Sequence, residues 1–184
     1  MQRLRLVFSG SGGQGVITAS IILAKAATLF ENKNAVQSQS YGAAARGEST
    51  RSDIILSDST INYPKVNQPN ILVCLTQESY DKYSSIIRPG GFLFVDSKYV
   101  KIQRKVSAKH IPLPIFETVM KEIGKPIVFN ICMLGVLIGI TKIVKAESIL
   151  KVLQTSVPKD FINLNKKALE IGIKMGENEN IEYR

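Results

Sequence analysis

Gly10, Gly12 and Gly15 stand in the stretch FSGSGGQGV with the spacing G-x-G-x-x-G, and Gly13 and Gln14 fill the gap before the last of them. Glycines so spaced let a chain turn tightly and bring backbone amides close to an anion at a helix N-terminus. Two nucleotide chemistries use variants of this loop. In the P-loop variant the last glycine must be followed by Lys, for the terminal phosphates, and then by Ser or Thr for magnesium. Here those positions are Val16 and Ile17, which excludes nucleotide triphosphate hydrolysis. The dinucleotide variant needs a carboxylate about 20 residues further on, at the end of the second strand, to bind a ribose hydroxyl. Glu31 has the right count but precedes that strand, which ends in Gln37, Ser38, Gln39 and Ser40. Two readings therefore stay open. Either the glycines serve only a tight turn and close strand–helix packing, or the loop amides face a phosphate or carboxylate brought from elsewhere.

Other chemistries find little material. Cys74 and Cys132 sit in the apolar runs ILVCL and FNICML and read as small core residues, and His110 is the single histidine. That set cannot build a zinc or iron–sulfur site, and no Cys–His nucleophile pair is in view. No catalytic residue and no metal ligand is assigned. The net charge of +9 invites a nucleic-acid reading, but the basic residues look scattered among acids and no aromatic–basic module is present. A solvated lysine surface, or an acidic protein partner, is the expectation. The apolar run Ile131–Ile140 spans 10 residues, where a membrane span needs about 20, so it reads as a buried helix. No signal peptide precedes the glycine loop, and the cytoplasm is the expected compartment.

The elements that must hold the loop follow from apolar patterning. RLRLVF reads as a buried strand ending at the glycines, and VITASIILAKAATLF as the helix after them. Further strands are expected in NAVQSQS, Ser52–Asp58, Asn70–Thr76, FLFVDS and KVSAKHIPLPI, with a short helix in QESYDKYSSII. Four helices close the chain. In the last, Phe161, Leu164, Ala168, Ile171 and Met175 share a face expected to meet the core, with Asp160 as N-cap. The alternation predicts an α/β fold: a Rossmann-like open, mostly parallel sheet with helices on both faces and a helical C-terminal end. A length of 184 residues suits a single domain over residues 1–184, with residues 177–184 as a frayed tail. Ligands of such sheets sit beyond the strand C-termini. The glycine loop lies at that edge, as does the segment Ser38–Asp53, which carries Ser40, Tyr41 and Arg46 and reads as an ordered site or docking loop.

These stretches together carry a resemblance. SGSGGQGV, NAVQSQSYGAAARGESTRSDIILSD, ILVCLTQESYDKY, RPGGFLFVDS and LNKKALEIG, in this order across nearly the whole chain, resemble the gamma subunit of 2-oxoacid:ferredoxin (or other acceptor) oxidoreductases. NAVQSQSYG and ARGESTRSD resemble the 2-oxoglutarate branch most. The resemblance implies a complex that oxidatively decarboxylates 2-oxoglutarate to succinyl-CoA. It would use thiamine diphosphate, magnesium, CoA and iron–sulfur clusters, with the thiamine cofactor and clusters on other subunits. It implies alpha, beta and delta-type ferredoxin-like partners, ferredoxin or a quinone-linked acceptor, and an isolated chain that is inactive and self-associates. The family loop commonly reads SYGPEARGG. Here Ala43 and Ala44 replace Pro and Glu, and Glu48 replaces the second glycine, so no carboxylate at position 44 can act. Gly10, Gly12, Gly13, Gln14, Gly15, Ser40, Tyr41 and Arg46 are the candidate cofactor-facing residues. The contrasting reading is a stand-alone nucleotide-binding or basic nucleic-acid module.

Overall fold

The computed structural model describes residues 3–40, 49–103, 105–179, 181 and 183. Six strands form one sheet: β1 (Leu4–Ser11), β2 (Asn34–Ser40), β3 (Ser49–Ser57), β4 (Ile71–Cys74), β5 (Gly91–Asp96) and β6 (Ala108–Leu113). Their spatial order is β2-β3-β1-β4-β5-β6. From β1 outward through β4, β5 and β6 the strands run parallel, with Leu6 opposite Ile71, Ile71 opposite Phe92 and Gly91 opposite Ala108. β3 runs antiparallel to both β1 and β2. The α/β fold with a mostly parallel sheet is therefore present, with one antiparallel hairpin set into its β1 side. The reason is local. A parallel connection needs a crossover of a dozen or more residues, usually a helix. Only positions 41–48 separate β2 from β3, so the chain must turn straight back.

Both faces of the sheet are covered, which is why β1, β4 and β5 read as nearly continuous apolar runs. Leu6, Phe8, Ile54, Val73 and Phe94 point to one core. It is closed by α1 (Val16–Phe30), α3 (Ile115–Glu122), α4 (Phe129–Thr141), α5 (Ala146–Ser156) and α6 (Ile162–Glu177). Val7, Ile55, Leu72, Cys74 and Leu93 point the other way. Among the described residues that face is covered by α2 (Gln77–Tyr83), the 3-10 turn after it and extended chain, with Tyr80, Val66 and Val100 as buried anchors. An ion pair holds part of this cover. Arg51 donates to both oxygens of Asp53 (2.6 and 3.1 Å) and to the carbonyl of Val66, while the Val66 amide donates to Asp53 at 2.8 Å.

α4 is buried at every residue, between sheet and α6. It meets α6 through glycines. A methyl at Gly172 would lie 2.0 Å from the Cys132 carbonyl oxygen, and one at Gly135 2.4 Å from that of Leu169. The corresponding distances are 2.6 Å for Gly139 to Ile173 and 2.5 Å for Gly176 to Val136. The two backbones therefore touch. The buried stripe of α6 is Asn165, Ala168, Leu169, Gly172 and Gly176. Of the expected face, Ala168 is buried in this stripe, and Leu164, Ile171 and Met175 pack against the core from its margin, only partly buried, as is Phe161. Asp160 is no N-cap; it lies in a 3-10 turn, Lys159–Phe161, and α6 has no side-chain cap. Of the terminal residues expected to fray, Ile181 and Tyr183 pack on the core, with the Tyr183 ring 4.9 Å from Phe92.

Candidate functional site

The carboxyl ends of β1, β4, β5 and β6 share one edge, and the chain leaves β1 there through Gly12–Gly15. Ser9 first ties β1 to β4: its hydroxyl donates to the Val73 carbonyl (2.7 Å), and its own carbonyl accepts from Leu75 (2.9 Å). Beyond it, Gln14 folds back over the turn. Its Oε1 accepts from the Ser11 amide at 2.8 Å and its Nε2 donates to the Leu75 carbonyl at 3.4 Å. Gly10 leaves the space for this, since a methyl there would come within 2.4 Å of Gln14 Oε1. Gly13 (φ +88°) and Gly15 (φ +71°) hold left-handed conformations that cost an L side chain energy. Gly12 meets nothing within 4 Å on its side-chain face.

Gly15 is the N-cap of α1 and supplies no side-chain cap. It lies against Asn130, whose Nδ2 donates to the Gly15 carbonyl at 3.1 Å. Asn130 belongs to the first turn of α4, so the N-termini of α1 and α4 meet here. Neither helix has an acidic residue in its first turn. Each helix start carries roughly half a positive charge in unpaired amides, and here two such ends stand together. At the end of β5 the opposite is done. Asp96, fully buried, accepts from Phe116 in the first turn of α3 (2.7 Å) and from Lys98 (2.9 Å). Burial pushes its carboxyl above the usual range, against the lowering effect of those backbone bonds. One helix end on this edge is neutralised from within the chain, whereas the α1 and α4 ends have no acidic residue in their own first turns.

Ser40 ends β2 on the same edge, exposed and opposite Arg51. β3 runs between it and the glycine loop, with Ser49 opposite Ser11. Both segments do lie at one edge of the sheet, but not on neighbouring strands: two inter-strand spacings, about 10 Å, separate β2 from β1. The same insertion removes the dinucleotide geometry, in which the second strand lies directly beside the first. Tyr41 and Arg46 lie outside the described residues. The connection begins after Ser40 and β3 starts at Ser49, so Ser49–Asp53 is strand and not part of the loop.

Several residues of this region carried no weight in the sequence. Asn130 is one of two polar residues, with Thr141, in an otherwise apolar helix, and such a buried residue needs a partner. Ser20, Gln37 and Ser52 form a buried polar cluster below α1, with Ser20 and Ser52 hydroxyls 2.7 Å apart and Gln37 Nε2 donating to Ser52 at 2.8 Å. The polar residues of β2 are thus partly structural. Burial raises both thiols, Cys74 and Cys132, to about 12, which suits neither a nucleophile nor a thiolate ligand. Among the described residues no three His, Cys, Asp or Glu side chains converge on a metal position, and no helix is long and apolar enough to cross a membrane.

Comparison with known proteins agrees with this architecture. The model of the family described as pyruvate ferredoxin/flavodoxin oxidoreductase matches residues 5–175. The chain is 43% identical over 177 residues to 2-oxoglutarate synthase subunit KorC of Methanocaldococcus jannaschii, covering 95% of each chain. It is 30% identical to ketoisovalerate oxidoreductase subunit VorA of Methanothermobacter marburgensis, over 93% of this chain but 36% of that one. The crystal structure of a keto/oxoacid ferredoxin oxidoreductase gamma subunit from Geobacter sulfurreducens superposes with a TM-score of 0.88 at 38% identity, covering 97% of this chain and 98% of that one.

Proposed function

Because the chain belongs to the pyruvate ferredoxin/flavodoxin oxidoreductase family, we propose that it is the gamma subunit of a 2-oxoglutarate:acceptor oxidoreductase complex. The observation that carries this is the 43% identity running through 95% of both chains. The complex would release CO2 from 2-oxoglutarate, join the succinyl group to the sulfur of CoA, and pass two electrons to ferredoxin or a quinone-linked acceptor. Thiamine diphosphate, magnesium and iron–sulfur clusters would be held by alpha, beta and delta-type subunits in the cytoplasm. The two buried, protonated thiols of this chain do not fit cluster ligation.

In this reading the chain completes the assembled site without doing its chemistry. The α1 and α4 N-termini, with the amides of Gly12 and Gly13, face an anionic group, a CoA phosphate or a partner's carboxylate. Gln14 keeps the turn in shape, and Arg46, with Ser40 and Tyr41 on the next connection, adds a full positive charge. A stand-alone nucleotide-binding or nucleic-acid-binding module is not favoured, because the similarity to subunits of such complexes runs end to end.

The test is co-expression with the remaining subunits, followed by CoA-dependent acceptor reduction with 2-oxoglutarate, pyruvate or 2-oxoisovalerate. Turnover is expected with 2-oxoglutarate in the complex and with none of the three in the isolated chain, which is expected to self-associate. Arg46→Ala should raise the KM for CoA or lower the assembled fraction. If both stay at the wild-type value, the anion-facing role of that connection is wrong.

A further inference from the structure

The scattered charge of the sequence has one exception. From Asp96 to Glu117 the chain carries Lys98, Lys101, Arg104, Lys105 and Lys109 and no acid, five of the nine net positive charges. Most of this stretch is the connection from the carboxyl end of β5 to the amino end of β6. It crosses the α2 side of the sheet on two inward anchors, Val100 and Val106. Lys98, Lys101 and Lys105 are turned outward and exposed, with Tyr99 and Ile102 exposed between them.

The strip is held in shape. The Tyr99 and Val100 amides donate to the Asp96 carbonyl, and the Lys101 amide donates to Gln77 Oε1 at 2.8 Å while Gln77 Nε2 returns a bond to the Lys101 carbonyl. Lys98 Nζ lies 4.4 Å from the centre of the Phe116 ring, beside Tyr99. Asp81, the acid on α2 next to this link, accepts from Gln77. Among the described residues no carboxylate lies in salt-bridge range of these three lysines, in contrast to Lys33, Arg51, Lys142 and Lys166; exposed Lys25, Lys159 and Lys174 share that state, but each stands apart on a different element.

We propose that the strip formed by Lys98, Lys101 and Lys105 is a docking surface for the acidic face of a partner subunit in the assembled complex. The proposal rests on the subunit reading above. Unpaired cations on an ordered backbone attract an anionic surface at long range and lose little freedom on meeting it, and the two exposed apolar side chains give that contact a dry centre. A phosphate-rich polymer would be met by a broad basic face with stacking aromatics; here the strip is narrow and carries one ring.

The complex carrying Lys98→Glu/Lys101→Glu/Lys105→Glu is compared with wild type and with Lys25→Glu/Lys159→Glu/Lys174→Glu, which makes the same change of charge on exposed lysines of other elements. The concentration for half-assembly is read at low and at raised salt, with thermal midpoints confirming that each chain folds. The strip variant should need at least about tenfold more protein at low salt and lose most of its salt dependence, and the control less than about threefold. Glutamine in place of the three lysines should fall between wild type and the glutamate variant. Equal behaviour of the strip and control variants overturns the proposal while leaving the subunit reading intact. Normal assembly with a raised KM for the electron acceptor overturns it too, since the strip then meets a mobile protein. Failure of the wild-type chain to assemble at all overturns the subunit reading itself.

Discussion

Two regions of this protein depend on glycine, and for different physical reasons. Between α4 and α6 glycine is needed for the space it leaves: Gly135, Gly139, Gly172 and Gly176 have ordinary helical backbones, and any side chain would strike a carbonyl of the facing helix. In the loop after β1 the need is conformational, since Gly13 and Gly15 sit at positive φ while Gly12 has open surroundings. A glycine in a sequence therefore marks either a contact or a turn, and only the neighbouring backbone says which.

Substitution should separate the two. Gly172→Ala gains about 1 kcal/mol of helix propensity but overlaps a carbonyl oxygen that belongs to a fixed helix. Overpacking of that kind costs about 3 kcal/mol, so a net loss of about 2 kcal/mol or more is expected by urea denaturation. A stabilised variant would show that the helices can part at little cost. The Cys132 carbonyl is the group displaced, so its thiol, inert in the native chain, should become open to alkylation in the variant. Gly15→Ala should lose about 1–2 kcal/mol through its positive φ, with more from contact with Asn130. Asn130→Ala in the same chain should return the second part, and strictly additive losses would mean that the two residues do not press on each other.

Asp96, at the end of β5, gives the fold a response to pH. Burial holds the Asp96 carboxyl above its ordinary 3.8, so the folded chain binds that proton more tightly than the unfolded one. Its contribution to stability is full below that value and is lost as pH rises through the folded pKa. Asp96→Asn should flatten the fall in stability over this window, and parallel curves for variant and wild type would refute the assignment. Gly12→Ala should have the smallest effect, within about 0.5 kcal/mol. Lost activity in the assembled complex with unchanged stability would place the loop surface in the site, whereas unchanged activity would leave it a structural turn.

What could be read from the sequence follows the same division. The strand, loop and helix around Gly10–Gly15 were legible because apolar runs of different length flank a glycine cluster. α4 was legible because its run is too short for a membrane and too apolar for a surface. The antiparallel placement of β3 was missed, although eight positions are too few to carry a parallel crossover. The apolar side of α6 was legible, but not that Gly172 and Gly176 lie at its centre, because backbone contact selects the smallest residues. The turn-closing bonds of Gln14 were not legible, because one partner, Leu75, is distant in the chain. Asn130 and Asp96 gave no signal at short range, since their partners, Gly15 and Phe116, are distant in the chain.

The clasp of Arg51, Asp53 and Val66 has a consequence for how the molecule opens. Residues 58–70 form no helix or strand, and a segment of that kind normally exchanges its amide hydrogens within minutes. The Val66 amide is bound to a carboxylate that is itself gripped by a guanidinium on β3, and the Val66 side chain is buried among Tyr80, Leu72 and Val100. Its hydrogen can be released only when the salt bridge and that core part together. Its protection factor in deuterium exchange should therefore match those of Leu72 and Val73 in β4, making an irregular stretch of chain part of the slowest-opening unit of the fold.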